Sequence, residues 1–213
     1  MRKRIVTILS ASGVAAMAIG LGSTSVLAVA STWTIKPGGS ITATAHKTVL
    51  TDSKTGAVLT CTDSPGSKAA GTLKSGSGKT NPIGNIKSIS FSGCTGPAGL
   101  KFKVSTSAFP WKIDALKYSS GVTHGKITGI HAVLKGTNSS CTAVVDGTAA
   151  GKDNGKVAIS HSNGAPAKLK VLKSGGNLHA YKVSGCLGAL NSGDAVTYTA
   201  TYTLNHGQKI TSP

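Results

Sequence analysis

The chain has 213 residues and carries 23 Lys and Arg against six acidic residues, a formal net charge of +17 at pH 7. A chain of this length can bury a full hydrophobic core as one domain. The basic excess attracts anionic surfaces, but a nucleic-acid reader would also offer Arg forks for base edges and aromatic rings for stacking. Aromatic residues make up 4% of the chain and every cation after residue 30 is Lys, so we expect no specific nucleic-acid partner.

The first 30 residues predict a cleaved export signal. Residues 2–4 form a basic head, residues 5–30 carry no charge, and Ala28-Val29-Ala30 is the small-residue pattern that a signal peptidase cuts before Ser31. A membrane anchor is the alternative, because residues 5–27 are long enough to span a bilayer, but glycines and hydroxyl residues interrupt the run after Ile19. We expect a secreted, extracellular protein without a transmembrane segment, with 20 lysines against six aspartates and a formal charge of +14.

Four cysteines, Cys61, Cys94, Cys141 and Cys186, all follow this signal. An even count in an exported chain predicts two disulfides, for which three pairings exist. The chain also contains a loose repeat, because each half has a cysteine next to Thr and then ends on Ser-Gly-Cys. If the halves are related, Cys61 pairs with Cys94 and Cys141 with Cys186. We expect one domain over residues 31–213, with residues 31–110 and 111–213 as its two related halves if the repeat is real.

In chain order, the residues after the signal predict strand after strand. Apolar and polar side chains alternate in the segments 100–104, 157–159, 169–171, 181–183 and 196–204. A strand that ends on Ser-Gly-Cys closes each half, at residues 89–94 and 181–186. Turn formers separate these segments, and Asn154-Gly155 is typical of a two-residue hairpin turn. The pattern predicts an all-β fold, an antiparallel meander of about a dozen strands. It is compatible with both a β-sandwich and a barrel.

The lysines fit this strand pattern. Lys101 and Lys103 alternate with Phe102 and Val104, as expected for a strand with one wet face and one buried face. The favoured interpretation of the charge is therefore a solvated surface. Nonspecific binding of anionic cell-envelope polymers is the partner that the charge allows.

Motifs that carry chemistry are weak. The chain after residue 30 has no Gly-x-Ser-x-Gly elbow, no Glu for a paired-carboxylate glycosidase, and neither His-x3-His nor Asp-x-Asp for a metal. We therefore assign no catalytic residue, no metal ligand and no cofactor. Six histidines and six aspartates still permit a Ser-His-Asp set assembled from distant strands.

Two histidines remain as weak candidates for a functional role. His131 occupies the place in the second half that His46 occupies in the first, which is most simply a repeated strand position. His179 lies between the turn residues Gly175-Gly176 and Tyr181. A structural role is the favoured interpretation for both.

Several motifs together resemble a known family. Trp33-Thr-Ile-Lys-Pro-Gly-Gly-Ser40, Ser92-Gly-Cys-Thr-Gly-Pro-Ala-Gly-Leu100, Phe109-Pro-Trp111, Ile127-Thr-Gly-Ile-His-Ala132 and Gly175-Gly-Asn-Leu-His-Ala-Tyr-Lys-Val-Ser-Gly-Cys186 are similar to those of a family of secreted actinobacterial proteins with no known activity. The resemblance spans about residues 33–213. It implies an actinobacterial source and export, and it adds no catalytic residue.

The sequence thus favours a secreted, noncatalytic β-protein, a binding or structural module at the cell envelope or in the medium. One alternative is a secreted hydrolase, which requires a serine, a histidine and an aspartate to converge in a cleft. The other is a barrel for a small apolar ligand, which requires an enclosed cavity in place of a packed core. The sequence does not indicate an oligomeric state.

Overall fold

The computed structural model describes residues 31–148 and 151–212, so the predicted signal lies outside the described residues. The fold is all-β and antiparallel, as predicted, with one short 3-10 turn at Pro97–Gly99. The strands are β1 (Trp33–Lys36), β2 (Gly39–Ala45), β3 (Thr48–Asp52), β4 (Val58–Cys61), β5 (Ser67–Leu73), β6 (Gly76–Lys79), β7 (Gly84–Phe91), β8 (Cys94–Thr95), β9 (Lys101–Ser107), β10 (Trp111–Ser119), β11 (Val122–Gly136), β12 (Thr142–Asp146), β13 (Gly155–Ser162), β14 (Lys168–Val171), β15 (His179–Ser184), β16 (Val196–Leu204) and β17 (Lys209–Thr211).

Most of these strands are pieces of eight longer ones, which we call barrel strands A to H. Barrel strand A is β2 and β3, B is β4 and β5, C is β7 and β8, D is β9 and β10, E is β11, F is β12 and β13, G is β14 and β15, and H is β16. Kinks or loops interrupt all of them except E and H, so the described strands outnumber the dozen expected.

The sheet closes on itself. Each barrel strand pairs antiparallel with the next one in the chain, and β16 of strand H returns to pair with β2 and β3 of strand A. The result is an eight-stranded up-and-down barrel. The pairing of the last strand with the first resolves the choice between sandwich and barrel.

A bulge in barrel strand E fits its side chains to the interior. The register shifts between Thr128 and Ile130, and Gly129 adopts a φ of +88°, which glycine reaches without a steric penalty. Ile127 and Ile130 are both buried although three positions apart. The outward side of the same strand carries exposed residues such as Val133.

A three-stranded sheet covers one end of the barrel. β1 pairs with β17 on one side and with β6 on the other. β1 precedes barrel strand A, β6 lies between B and C, and β17 follows H, so the three strands lie at the same end. Trp33, Ile35 and Ile210 are buried in the core beneath them.

Two disulfides join neighbouring barrel strands in the half away from this cap. Cys61 in strand B is bonded to its cross-strand partner Cys94 in strand C. Cys141 and Cys186 flank β12 and β15 and join strands F and G. The predicted pairing is confirmed. The two bonds lie four barrel strands apart.

None of the helical turns among residues 31–148 and 151–212 is long and apolar enough to cross a membrane.

Candidate functional site

The barrel interior contains a cavity of about 130 Å³ whose walls are almost entirely apolar. Small residues at inward positions leave this space. Ala43 is the cross-strand partner of Ala69, Ala69 is the partner of Ile89, and all three line the cavity. Ala132 lines it from strand E.

Tyrosine hydroxyls in the wall satisfy one another. The hydroxyls of Tyr198 and Tyr202 are 2.7 Å apart, and that of Tyr202 is 2.9 Å from Ser67 Oγ. Burial raises the pKa of both phenols, so both stay neutral at ordinary pH. The Tyr198 ring also meets Phe91 edge-on, with the ring centroids 6.1 Å apart.

His161 is a different kind of wall residue. It follows Val157 and Ile159 on the inward side of β13, is 3% exposed, and lines the cavity between the cross-strand neighbours Thr123 and Leu169. Neither ring nitrogen has a hydrogen-bond partner among the described residues. Burial lowers the pKa of His161 to about 4, so the imidazole is neutral at pH 7.

The barrel wall has a seam between strands C and D. Their paired ladder runs through Ile86 and Trp111, stops, and resumes at Cys94 and Phe102. Between these points Thr106 Oγ1 donates a hydrogen bond to the Ile89 carbonyl at 2.8 Å. Partly exposed side chains line the cavity along both edges of the seam, namely Ile89, Phe91, Val104 and Thr106.

A second cluster lies on the outer face of the barrel, around His131. The Nδ1 atom of His131 is 3.2 Å from Asp146 Oδ2 and 3.2 Å from Asp153 Oδ1. Asp146 is fully buried, while the Asp153 side chain is 52% exposed. Because both neighbours are carboxylates, Nδ1 carries the proton and donates.

Asp146 anchors the loop between β12 and β13. Its Oδ1 accepts from the backbone N–H groups of Gly147 and Asn154 at 2.7 and 3.2 Å, and its Oδ2 accepts from that of Gly151 at 2.8 Å. Burial alone would raise the pKa of Asp146, but the bonds from Gly147, His131, Asn154 and Gly151 hold it below its ordinary value. The carboxylate is therefore an anion committed to the loop.

This anchoring corrects the predicted hairpin turn. Gly155 is already the first residue of β13 and pairs with Ile130, and Asn154 ends a loop that begins after Asp146. The backbone donors of that loop close onto a carboxylate, as in other anion-binding backbone concavities. Two-residue turn chemistry is therefore not used at Asn154-Gly155.

His179 belongs to the same outer patch as His131. It is the cross-strand partner of Asp146, and its Nδ1 donates to the Asn177 carbonyl at 2.9 Å. The adjacent Tyr181 hydroxyl donates to the Gly147 carbonyl at 3.0 Å. Of the two histidines selected from the sequence, His131 contacts the anchoring carboxylate of Asp146 and His179 bonds to Asn177, and neither lines the cavity.

The His131 cluster has features of a catalytic or a metal site but lacks others. His131, Asp146 and Asp153 place their ligand atoms within 4.8 Å of one another, a spacing that suits a cation. Four N–H donors already occupy the lone pairs of Asp146. No serine hydroxyl is hydrogen-bonded to His131 within the described ranges, so the arrangement lacks the nucleophile of a hydrolytic triad.

Sequence reasoning missed three residues of these sites. Asp146 and Asp153 show no local motif. The pairing of β12 with β11 places Asp146 beside His131, and the loop between β12 and β13 brings Asp153 to the same histidine. His161 did have a signal, since the alternation of Val157 and Ile159 extends to it and predicts an inward histidine.

Comparison of the chain with protein-family models, with curated proteins and with solved structures found no match. The site must therefore be interpreted from its own geometry.

Proposed function

We propose that this is a noncatalytic binding protein that holds a small apolar molecule inside its barrel. The cavity of about 130 Å³ carries this proposal. An apolar cavity of about 150 Å³ in a protein core stays dry and binds benzene. A ligand with one ring is therefore the size that fits. The barrel wall cannot easily move inward to fill the cavity, because the sheet is closed and its strands are hydrogen-bonded on both sides.

Access is through the seam between strands C and D. The ladder between these strands is absent from Ile86 to Cys94 and from Phe102 to Trp111, and the side-chain bond from Thr106 to the Ile89 carbonyl spans this gap. Side chains on both edges already line the cavity. A small separation of strands C and D at the seam would admit a ring-sized molecule without unfolding the barrel.

The proposed place of action is the cell envelope or the medium. Two disulfides are typical of proteins that fold in an oxidising compartment. The signal pattern predicted from the sequence agrees with this. Exposed lysines on the outer face, such as Lys101 and Lys103, would keep the carrier soluble and loosely associated with anionic polymers.

The test is titration of the secreted form with toluene, followed by calorimetry and by NMR shifts of the cavity methyl groups. We expect saturable binding to wild type. The variant Ala132→Leu places three more carbons in the cavity beside the seam, because Ala132 pairs with Thr106, and should abolish binding. Ala195→Leu adds the same carbons at an exposed position and serves as the matched control.

If Ala132→Leu is folded and still binds toluene like wild type, the ligand does not occupy the cavity. If wild type binds no toluene, benzene or xenon, the proposed function is wrong.

A further inference from the structure

His161 is a polar group inside an apolar cavity, and neither of its ring nitrogens has a hydrogen-bond partner in the part of the chain that the structure describes. Buried polar side chains in native proteins are nearly always hydrogen-bonded, and leaving one unpaired destabilises the fold. His161 is 3% exposed and lines the cavity, so a partner for it must come from inside the barrel.

The polar neighbours of His161 have other hydrogen-bond partners. The Thr123 hydroxyl, on the adjacent strand, donates to the Ile210 carbonyl at 2.9 Å. Leu169, on the other side, offers no polar atom. The Tyr202 hydroxyl, on the next strand, pairs with Ser67 and Tyr198.

The neutral imidazole offers one N–H donor and one bare nitrogen acceptor. A ligand hydroxyl can both donate and accept, so it satisfies either ring nitrogen in either tautomer. A charged group is disfavoured, because an ion in an apolar cavity loses its hydration without a counterion.

We propose that the ligand bears one hydroxyl group on an otherwise apolar, ring-sized body, and that His161 hydrogen-bonds this hydroxyl. The inference rests on the proposed function and names the ligand class of that same cavity. It makes His161 the specificity-determining residue of the barrel.

The test compares phenol with toluene, which have the same shape and differ by a hydroxyl in place of a methyl group. Calorimetric titration at pH 7 gives the ratio of the two affinities for each protein. Wild type should bind phenol at least as tightly as toluene. In His161→Leu the ratio of phenol to toluene affinity should fall by about tenfold or more, since the hydroxyl is then buried unpaired.

Two further variants sharpen the comparison. His161→Gln keeps a donor and an acceptor and should retain most of the preference for phenol. His124→Leu makes the same replacement at an exposed histidine that does not line the cavity and should leave the preference unchanged. His161→Leu removes an unpaired polar group and should fold.

The outcomes separate the two proposals. If toluene binds and wild type disfavours phenol, or if His161→Leu leaves the ratio unchanged, the hydroxyl inference is overturned while the cavity function stands. An internal water that satisfies His161 would give this result. If wild type binds neither compound, both proposals fail.

Discussion

The buried histidine should make the folded state sensitive to mild acid. His161 is neutral in the fold because burial lowers its pKa from 6.5 to about 4. The unfolded chain takes up a proton near pH 6.5 and the folded protein does not, so the unfolded state binds more protons between these values. The free energy of unfolding is therefore unaffected above pH 6.5 and falls as the pH drops toward 4.

The size of the effect follows from the shift. One pKa unit corresponds to about 1.4 kcal/mol, so the loss attributable to His161 is about 2 kcal/mol at pH 5 and about 3 kcal/mol at pH 4. The neighbours that face His161 add no titration in this range. Thr123 and Leu169 do not ionise, and burial raises the pKa of Tyr202.

The assay is urea unfolding of wild type and His161→Leu at pH 7, 5 and 4 with the disulfides intact. Other acids, Asp146 and Asp194 among them, titrate in both proteins and cancel in the difference. We expect the free energy of unfolding of His161→Leu, relative to that of wild type, to rise by about 2 kcal/mol between pH 7 and pH 5. A difference between the two proteins that stays constant over this range would show that His161 is solvated, and the reasoning would be wrong.

The second disulfide, the Asp146 anchor and the surface charge can each be tested separately. Cys141 and Cys186 are bonded across a sequence separation of 45 residues. Replacing both with Ala should lower the free energy of unfolding, measured by urea titration, by up to about 4 kcal/mol. No change would mean that the bond does not form. Asp146→Asn should lower the free energy of unfolding by about 2 to 3 kcal/mol and make residues 147–154 sensitive to protease. Asp153→Asn, at a half-exposed side chain, should lower it by less than about 1 kcal/mol. Because folding lowers the pKa of Asp146, its stabilisation is present above pH 4 and is lost as the pH falls through the pKa that Asp146 has in the folded protein. An equal effect of the two variants on stability would contradict the anchoring role of Asp146. Binding to anionic polymers should be weak and should vanish as the Debye length falls from about 10 Å at 0.1 M salt to about 3 Å at 1 M. Replacing Lys101 and Lys103 together with Gln should reduce this binding only in proportion to the charge removed. Tight binding at 0.5 M salt would instead indicate a recognition site.

The strand content and the disulfides were predictable from local pattern. Alternation along Val196 to Leu204 sets which side chains share a face, because successive side chains of a strand point to opposite sides. The repeat of Ser-Gly-Cys at Cys94 and Cys186 indicated the pairing that the structure has. Both signals are local, and they do not depend on which strands meet.

The closure of the sheet into a barrel could not be predicted from local sequence pattern. A sandwich and a barrel require the same alternation, and they differ in whether the last strand pairs with the first. Thr203 pairs with Thr44 across a sequence distance that no local pattern encodes. The interruption between strands C and D likewise appears only when their registers are known.

The sequence by itself determined the all-β class, the inward and outward faces of the regularly alternating strands, and the cysteine pairs, since these depend on side-chain period and on repeated motifs. The tertiary structure decided the rest. His131 and Asp146 meet because β12 pairs with barrel strand E. His161 has no hydrogen-bond partner among the described residues because the closed sheet surrounds it with apolar side chains. Alternation places a histidine inside, but the space and the partners around it are set by strands far away in the chain.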